Sequence, residues 1–257
     1  MVFPVSDSDV KNRRLPFVNV TIIAFCAAVF IYELIIGDAG RFVFFYQFGL
    51  IPAELVHGIS YDSLITPQGT FDITSPIPNL ATMFSSMFLH GDWMHFASNM
   101  LYLWVFGDNI EDRFGHFRYL LFYLAAGVAA GGLQIAINTQ SEIPTIGASG
   151  AIAGVLGAYL LLFPRSRIRT IVFFFIITFV RIPAVYLLGF WILLQFFGGV
   201  GSLGPSAQAG GVAYWAHIGG FVFGVIAAIL YKFAAHRPGS PPPEGPGVTR
   251  YWRGKPV

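Results

Sequence analysis

Six mostly apolar stretches alternate with polar, Pro- or Gly-containing breaks along the chain, near residues 18–37, 92–109, 118–138, 148–163, 184–200 and 212–234. A helix needs about 20 predominantly apolar residues to cross roughly 30 Å of hydrocarbon. The pattern therefore predicts an all-α polytopic membrane protein, a bundle of six transmembrane helices. Ile171 to Val180 is apolar too, but it is too short to cross alone, and Arg181 and Pro183 separate it from the next stretch. It reads as an interfacial or re-entrant piece.

What lies between and beyond these stretches divides the chain into three parts. Residues 1–17 form a polar segment, 18–235 the membrane domain, and 236–257 a Pro- and Gly-rich tail whose composition predicts disorder. Within the membrane domain, residues 38–91 make a long external loop between the first and second helices, rich in Phe, Pro and Gly and expected to rest on the membrane surface. The first apolar stretch has no small-residue cleavage site, so it is expected to be a retained span and not a signal peptide.

Charge orients the bundle, because Lys and Arg gather in cytoplasmic loops. With the N-terminus inside, Lys11, Arg13 and Arg14, then Arg113 and Arg118, then Arg165, Arg167, Arg169 and Arg181, then Lys232 onward all fall on the cytoplasmic side. Of 15 basic residues, Arg41 alone falls outside. Both termini are thus expected in the cytoplasm, in a plasma membrane of bacterial type. Composition agrees with a lipid setting: 55% of residues are apolar and 11% charged. A net charge of +2 speaks against a nucleic-acid partner, and Cys26, alone, precludes an internal disulfide.

Polar side chains at membrane depth are costly without partners, which makes each one a candidate for function. Three groups qualify: Ser149 in GASG at the start of the fourth stretch, His217 in AHIGGFVFG at the start of the sixth, and His90, His95 and Asn99 in HGDWMHFASN at the start of the second. Helices two, four and six run the same way in the topology above, so these residues share one depth near the outer face. Gly150, Gly154 and Gly157 give the fourth helix a narrow face beginning beside Ser149. His217, Gly220 and Gly224 share a face of the sixth at spacings of three and four. Small residues let helices approach closely in lipid, so contact between these faces would bring Ser149 and His217 within reach.

The pair has a chemistry. A serine hydroxyl becomes a useful nucleophile when a neutral imidazole takes its proton. A helix N-terminus at Ser149 offers backbone N–H groups and a positive dipole end to a developing oxyanion, and His95 and Asn99, four apart on one helix face, can add side-chain donors. Each residue also has a plainer reading. Ser149 can serve helix packing, His217 can bond a carbonyl, and His95 with Asn99 can make interhelical hydrogen bonds. No H-E-x-x-H helix is present and His90 with His95, five apart, is a poor metal pair, so no metal or other cofactor is expected. No paired Asp residues sit mid-span for aspartyl chemistry, and a transporter would not require Ser and His at one depth.

With these residues in view, the chain resembles the rhomboid intramembrane serine proteases. The resemblance rests on HGDWMHFASNMLYLWVFGDNIEDRFG from His90 to Gly115, GASGAIAG around Ser149 and AHIGGFVFG around His217, in that order, within roughly residues 84–230. It implies a Ser–His dyad in which Ser149 acylates and His217 acts as general base and then acid. The implied oxyanion hole uses His95, Asn99 and the backbone N–H of Ser149. His90 and Glu111 then stand at positions that support the fold. The implied substrates are single-pass membrane proteins, cleaved near the outer face of the bilayer. Two departures accompany it. Ala153 stands where some members carry a Tyr that packs on the histidine, so His217 must be oriented by something else, Phe or Trp being the candidates, and a Trp-Arg pair in the first external loop is missing. The rival reading is a rhomboid-like protein that binds or escorts membrane clients without cutting them. Such proteins usually lack the Ser or the His, and both are here.

Overall fold

The computed structural model describes residues 2–7, 15–67, 69–173, 177–203, 211–235, 251–252 and 255–256. Its long helices are α1 (Phe17–Ile35), α5 (Trp93–Phe114), α6 (His116–Ile137), α7 (Ser149–Leu162), α8 (Ala184–Gly201) and α9 (Tyr214–Ala235). Between α1 and α5 lie α2 (Gly37–Phe48), α3 (Pro52–His57), the hairpin β2–β3 (Ser63–Thr66, Gly69–Asp72) and the short α4 (Thr82–Ser85). The segment expected to be a long external loop is therefore built of helical and hairpin pieces. It is tied to the bundle where Leu50 and Thr145 exchange backbone hydrogen bonds at 3.0 and 2.8 Å.

By length and composition α1, α6, α8 and α9 can each cross a membrane, which makes this a multi-pass membrane protein. The other two long helices fall outside that description for separate reasons. α7 has only 14 residues, and α5 carries Asp108, Glu111, Asp112 and Arg113 toward its C-terminal end.

α7 is the axis of the bundle. Every residue from Gly150 to Tyr159 is buried, as expected for a helix that is apolar all round. Its contact with α9 is almost backbone on backbone: a Cβ added at Gly220 or Gly224 would lie 1.9 Å from the carbonyl oxygen of Gly150 or Gly154, respectively. On its other side α7 meets α6, where a Cβ at Gly150 or Gly154 would lie 2.6 or 2.5 Å from the Cβ of Ala130 or Ala126. The order of these contacts makes α7 and α9 parallel and α6 antiparallel to both. The glycine faces read from the sequence are therefore the faces in contact.

The ends of α1 and α5 are fastened to each other. Glu111, fully buried, accepts the backbone N–H groups of Val18 at 3.1 Å and Asn19 at 2.7 Å, and so satisfies donors at the start of α1. His116 bonds the same carboxylate through Nδ1. A second buried network links Tyr119 O–H to Asn19 Oδ1 at 2.6 Å and Asn19 Nδ2 to the Leu103 carbonyl at 3.0 Å. A side chain at Gly107 would collide with it.

The fold is mostly helical but not all-α. Of the stretch Ile171 to Val180, expected as an interfacial or re-entrant piece, the described residues are strand: 171–173 end β4 (Arg167–Phe173) and 177–180 open β5 (Ile177–Pro183), paired antiparallel from Arg167↔Pro183 to Phe173↔Ile177. Within the segment expected to be merely polar, β1 (Val2–Asp7) adds to β4 and completes a three-stranded sheet ordered β1-β4-β5. Asp7 accepts hydrogen bonds from the Tyr159 hydroxyl and from Ser166 Oγ, the latter at 2.7 Å. The sheet thus anchors the C-terminal end of α7. The tail expected to be disordered lies outside the described residues except for the short pair β6–β7 (Tyr251–Trp252, Lys255–Pro256). Lys11, Arg13 and Arg14 also lie outside them.

Candidate active site

The N-terminal ends of α5, α7 and α9 converge, and the polar residues singled out from the sequence gather there. Ser149 is the first residue of α7 and His217 lies in the first turn of α9. Their side chains meet, with His217 Nε2 2.8 Å from Ser149 Oγ. The glycine contact between α7 and α9 begins at Gly150 and Gly220, one and three residues further along, so the close helix packing and the Ser–His contact are one feature.

His95 approaches from α5. Asp92 caps that helix by accepting the His95 N–H at 2.9 Å. The His95 Nδ1 accepts the N–H of Gly91 at 3.3 Å. In the neutral ring the proton then sits on Nε2, which becomes a donor. That Nε2 lies against Gly147, two residues before Ser149. Gly147 has φ +121°, and a Cβ there would stand 2.6 Å from His95 Nε2 and 3.7 Å from Ser149 Oγ. Only glycine allows both the backbone turn and the approach of the imidazole.

Asn99 follows His95 by one helical turn and is buried. Among the described residues its Nδ2 is a buried donor with no hydrogen-bond partner. Such orphaned donors are rare and call for an explanation. A cavity of about 30 Å³ opens beside Ser149, lined in part by Ser86, Thr145, Gly147 and Ala216. It has room for a water molecule.

His90 and Glu33 form a neighbouring buried group that does not touch Ser149. The His90 N–H lies 3.2 and 3.3 Å from the two Glu33 carboxylate oxygens, and His90 Nδ1 donates to the Phe88 carbonyl at 3.2 Å. Its ring packs edge-on against Phe30, His95 and Phe96. Burial, with His95 nearby, pushes the His90 imidazole down to about 4, so it is neutral near pH 7.

Two residues of α8 complete the surroundings of His217. Gln195 Oε1 lies 2.8 Å from His217 Nδ1, and the Trp191 ring sits 5.7 Å from the imidazole at 35°. With Ala153 in place of a Tyr, a Phe or Trp was expected to orient His217, and Trp191 is the aromatic ring beside it. Gln195 was not anticipated. The available signal was an amide inside an apolar helix, itself a mark of function in membranes.

Comparison with known proteins follows the same lines. A family model described as Rhomboid domain matches residues 78–233, more than half of the chain. The chain belongs to the rhomboid family. It is 28% identical over 158 residues to Rhomboid protein 1, mitochondrial, of Saccharomyces cerevisiae, covering 60% of this chain and 41% of that protein. It is 34% identical over 167 residues to RHOMBOID-like protein 4 of Arabidopsis thaliana, covering 65% and 38%. To Rhomboid protease GluP of Bacillus subtilis it is 44% identical over 86 residues, covering 32% and 16%. The matched region thus spans less than half the length of each of these relatives.

Proposed function

We propose that this rhomboid is an intramembrane serine endopeptidase that hydrolyses peptide bonds of transmembrane protein substrates near the outer face of the bilayer. The observation that carries the reading is the 2.8 Å contact between Ser149 Oγ and His217 Nε2 at the converging ends of membrane helices. His217 takes the hydroxyl proton as Ser149 Oγ attacks the scissile carbonyl, then returns it to the leaving amine. A second cycle, with water in place of the serine, releases the acyl group. The Ser149 N–H, the His95 Nε2–H and the Asn99 side-chain amide stabilise the oxyanion, which gives the unpartnered Asn99 donor its purpose. No cofactor is required. His90, Glu111, Gly150, Gly220 and Gly224 support this arrangement through packing and hydrogen bonds.

In this reading all six long helices span the membrane, with both termini cytoplasmic in a plasma membrane of bacterial type. The 14 residues of α7 extend only about 21 Å, less than the hydrocarbon thickness of roughly 30 Å. Ser149 then lies recessed below the outer surface, where water still reaches it. Incubating the purified protein in liposomes with a single-pass substrate tests the proposal. Cleavage by the wild type, lost in Ser149→Ala and in His217→Ala, is expected. Capture of the substrate without cleavage would leave the non-proteolytic escort reading in its place.

A further inference from the structure

We propose that Gln195 is the third member of this site, a positioning residue that fixes the tautomer and orientation of His217. This rests on the protease reading above for its kinetic consequence, but not for its geometry. Gln195 is 9% exposed, on a helix otherwise chosen for lipid, and its amide has two specific bonds. Its Nε2 donates to the Trp191 carbonyl one turn earlier at 3.3 Å, which turns Oε1 toward α9. Oε1 then faces His217 Nδ1 at 2.8 Å. An amide oxygen only accepts, so Nδ1 must carry the imidazole proton. The lone pair is left on Nε2, the nitrogen that faces Ser149 Oγ.

That is the tautomer a general base needs, and the opposite one would present an N–H to the serine. Trp191 packs against the ring at a tilt from the same helix, four residues before Gln195, so α8 supplies both an aromatic wall and the polar anchor. The titratable group acting on His217 from α5 is His95. An amide in place of a carboxylate has a further effect. It orients the ring without a buried negative charge, which lipid would penalise.

Two variants test this in detergent micelles against a fluorogenic transmembrane peptide. Gln195→Leu keeps the volume and removes the acceptor: kcat falls by about 10- to 100-fold while KM stays within about twofold. Gln195→Glu retains the acceptor and adds charge, so most of kcat returns and the acid limb of the kcat/KM profile moves up by about one pH unit. Should Gln195→Leu fail to fold, Gln195→Glu carries the test by itself. Wild-type kcat in folded Gln195→Leu, or an unmoved acid limb in Gln195→Glu, would overturn the proposal. Ser149→Ala, run alongside, reports separately on the protease reading. Nitrogen NMR of histidine-labelled protein needs no activity. The Nδ1–H form of His217 should dominate in the wild type and give way to a tautomer mixture in Gln195→Leu, and an identical spectrum in both would likewise overturn the assignment.

Discussion

Gly220 of α9 rests on the backbone of α7 so closely that a methyl group on it would stand 1.9 Å from the carbonyl oxygen of Gly150. The obstacle is backbone, which cannot rotate away as a side chain can. Gly220→Ala and Gly224→Ala should therefore push α9 off α7, separating His217 from Ser149. Overpacking of this kind costs about 1–3 kcal/mol or more. We expect both variants to melt at lower temperature and to lose most cleavage activity. Gly189→Ala on α8 is the control, because nothing lies within 4 Å of its added Cβ. It should be neutral or stabilising by up to about 1 kcal/mol.

Asn99→Ala removes one oxyanion donor without altering the Ser–His contact. Loss of one such donor typically lowers kcat by about 10²–10³-fold. His95 and the Ser149 N–H retain part of the stabilisation, so the lower end of that range is expected, with KM little changed. Unaltered kcat in a steady-state assay would remove Asn99 from the site.

At the far end of α7, Asp7 accepts from Tyr159 and Ser166. Tyr159 lies ten residues beyond Ser149, about 15 Å along the helix. Asp7→Ala removes the carboxylate to which Tyr159 and Ser166 both donate, at a cost of about 1–3 kcal/mol. Thermal unfolding in detergent should show that loss while kcat, measured at a temperature where the protein is folded, remains near wild type. A large drop in kcat there would mean that the sheet on this side acts on the site directly.

Acid should loosen the fold through His90. Its folded value of about 4 lies below the ordinary 6.5, so between these limits the unfolded chain binds a proton that the folded one refuses. Stability is therefore undiminished above about pH 6.5 and falls as pH drops toward 4, by up to about 3 kcal/mol from this residue. The slope of melting temperature against pH over that window should be shallower in His90→Asn.

The helical part of this fold was legible because lipid imposes long apolar stretches, and the site was legible because polar residues stand out against them. The glycines at 150, 154, 220 and 224 even gave the contacting faces. The sheet was missed at a place where its signal existed. Arg167, Ile168 and Arg169 alternate polar and apolar, a strand period, but the alternation is short and the unbroken apolar run from Ile171 that follows masks it. β1 offered less, with Pro4 inside it and a partner 161 or more residues away in sequence. Glu33 and Gln195 were overlooked inside otherwise apolar helices. Their partners, the His90 N–H and the His217 ring, are set by tertiary packing that no local pattern encodes.

The central claim is that His217 makes the Ser149 hydroxyl nucleophilic, and a serine-directed fluorophosphonate probe reads that property without a known substrate. Wild-type protein in detergent should label at Ser149, located by peptide mapping, with labelling abolished in Ser149→Ala and sharply reduced in His217→Ala. Equal labelling of the wild type and Ser149→Ala would contradict it.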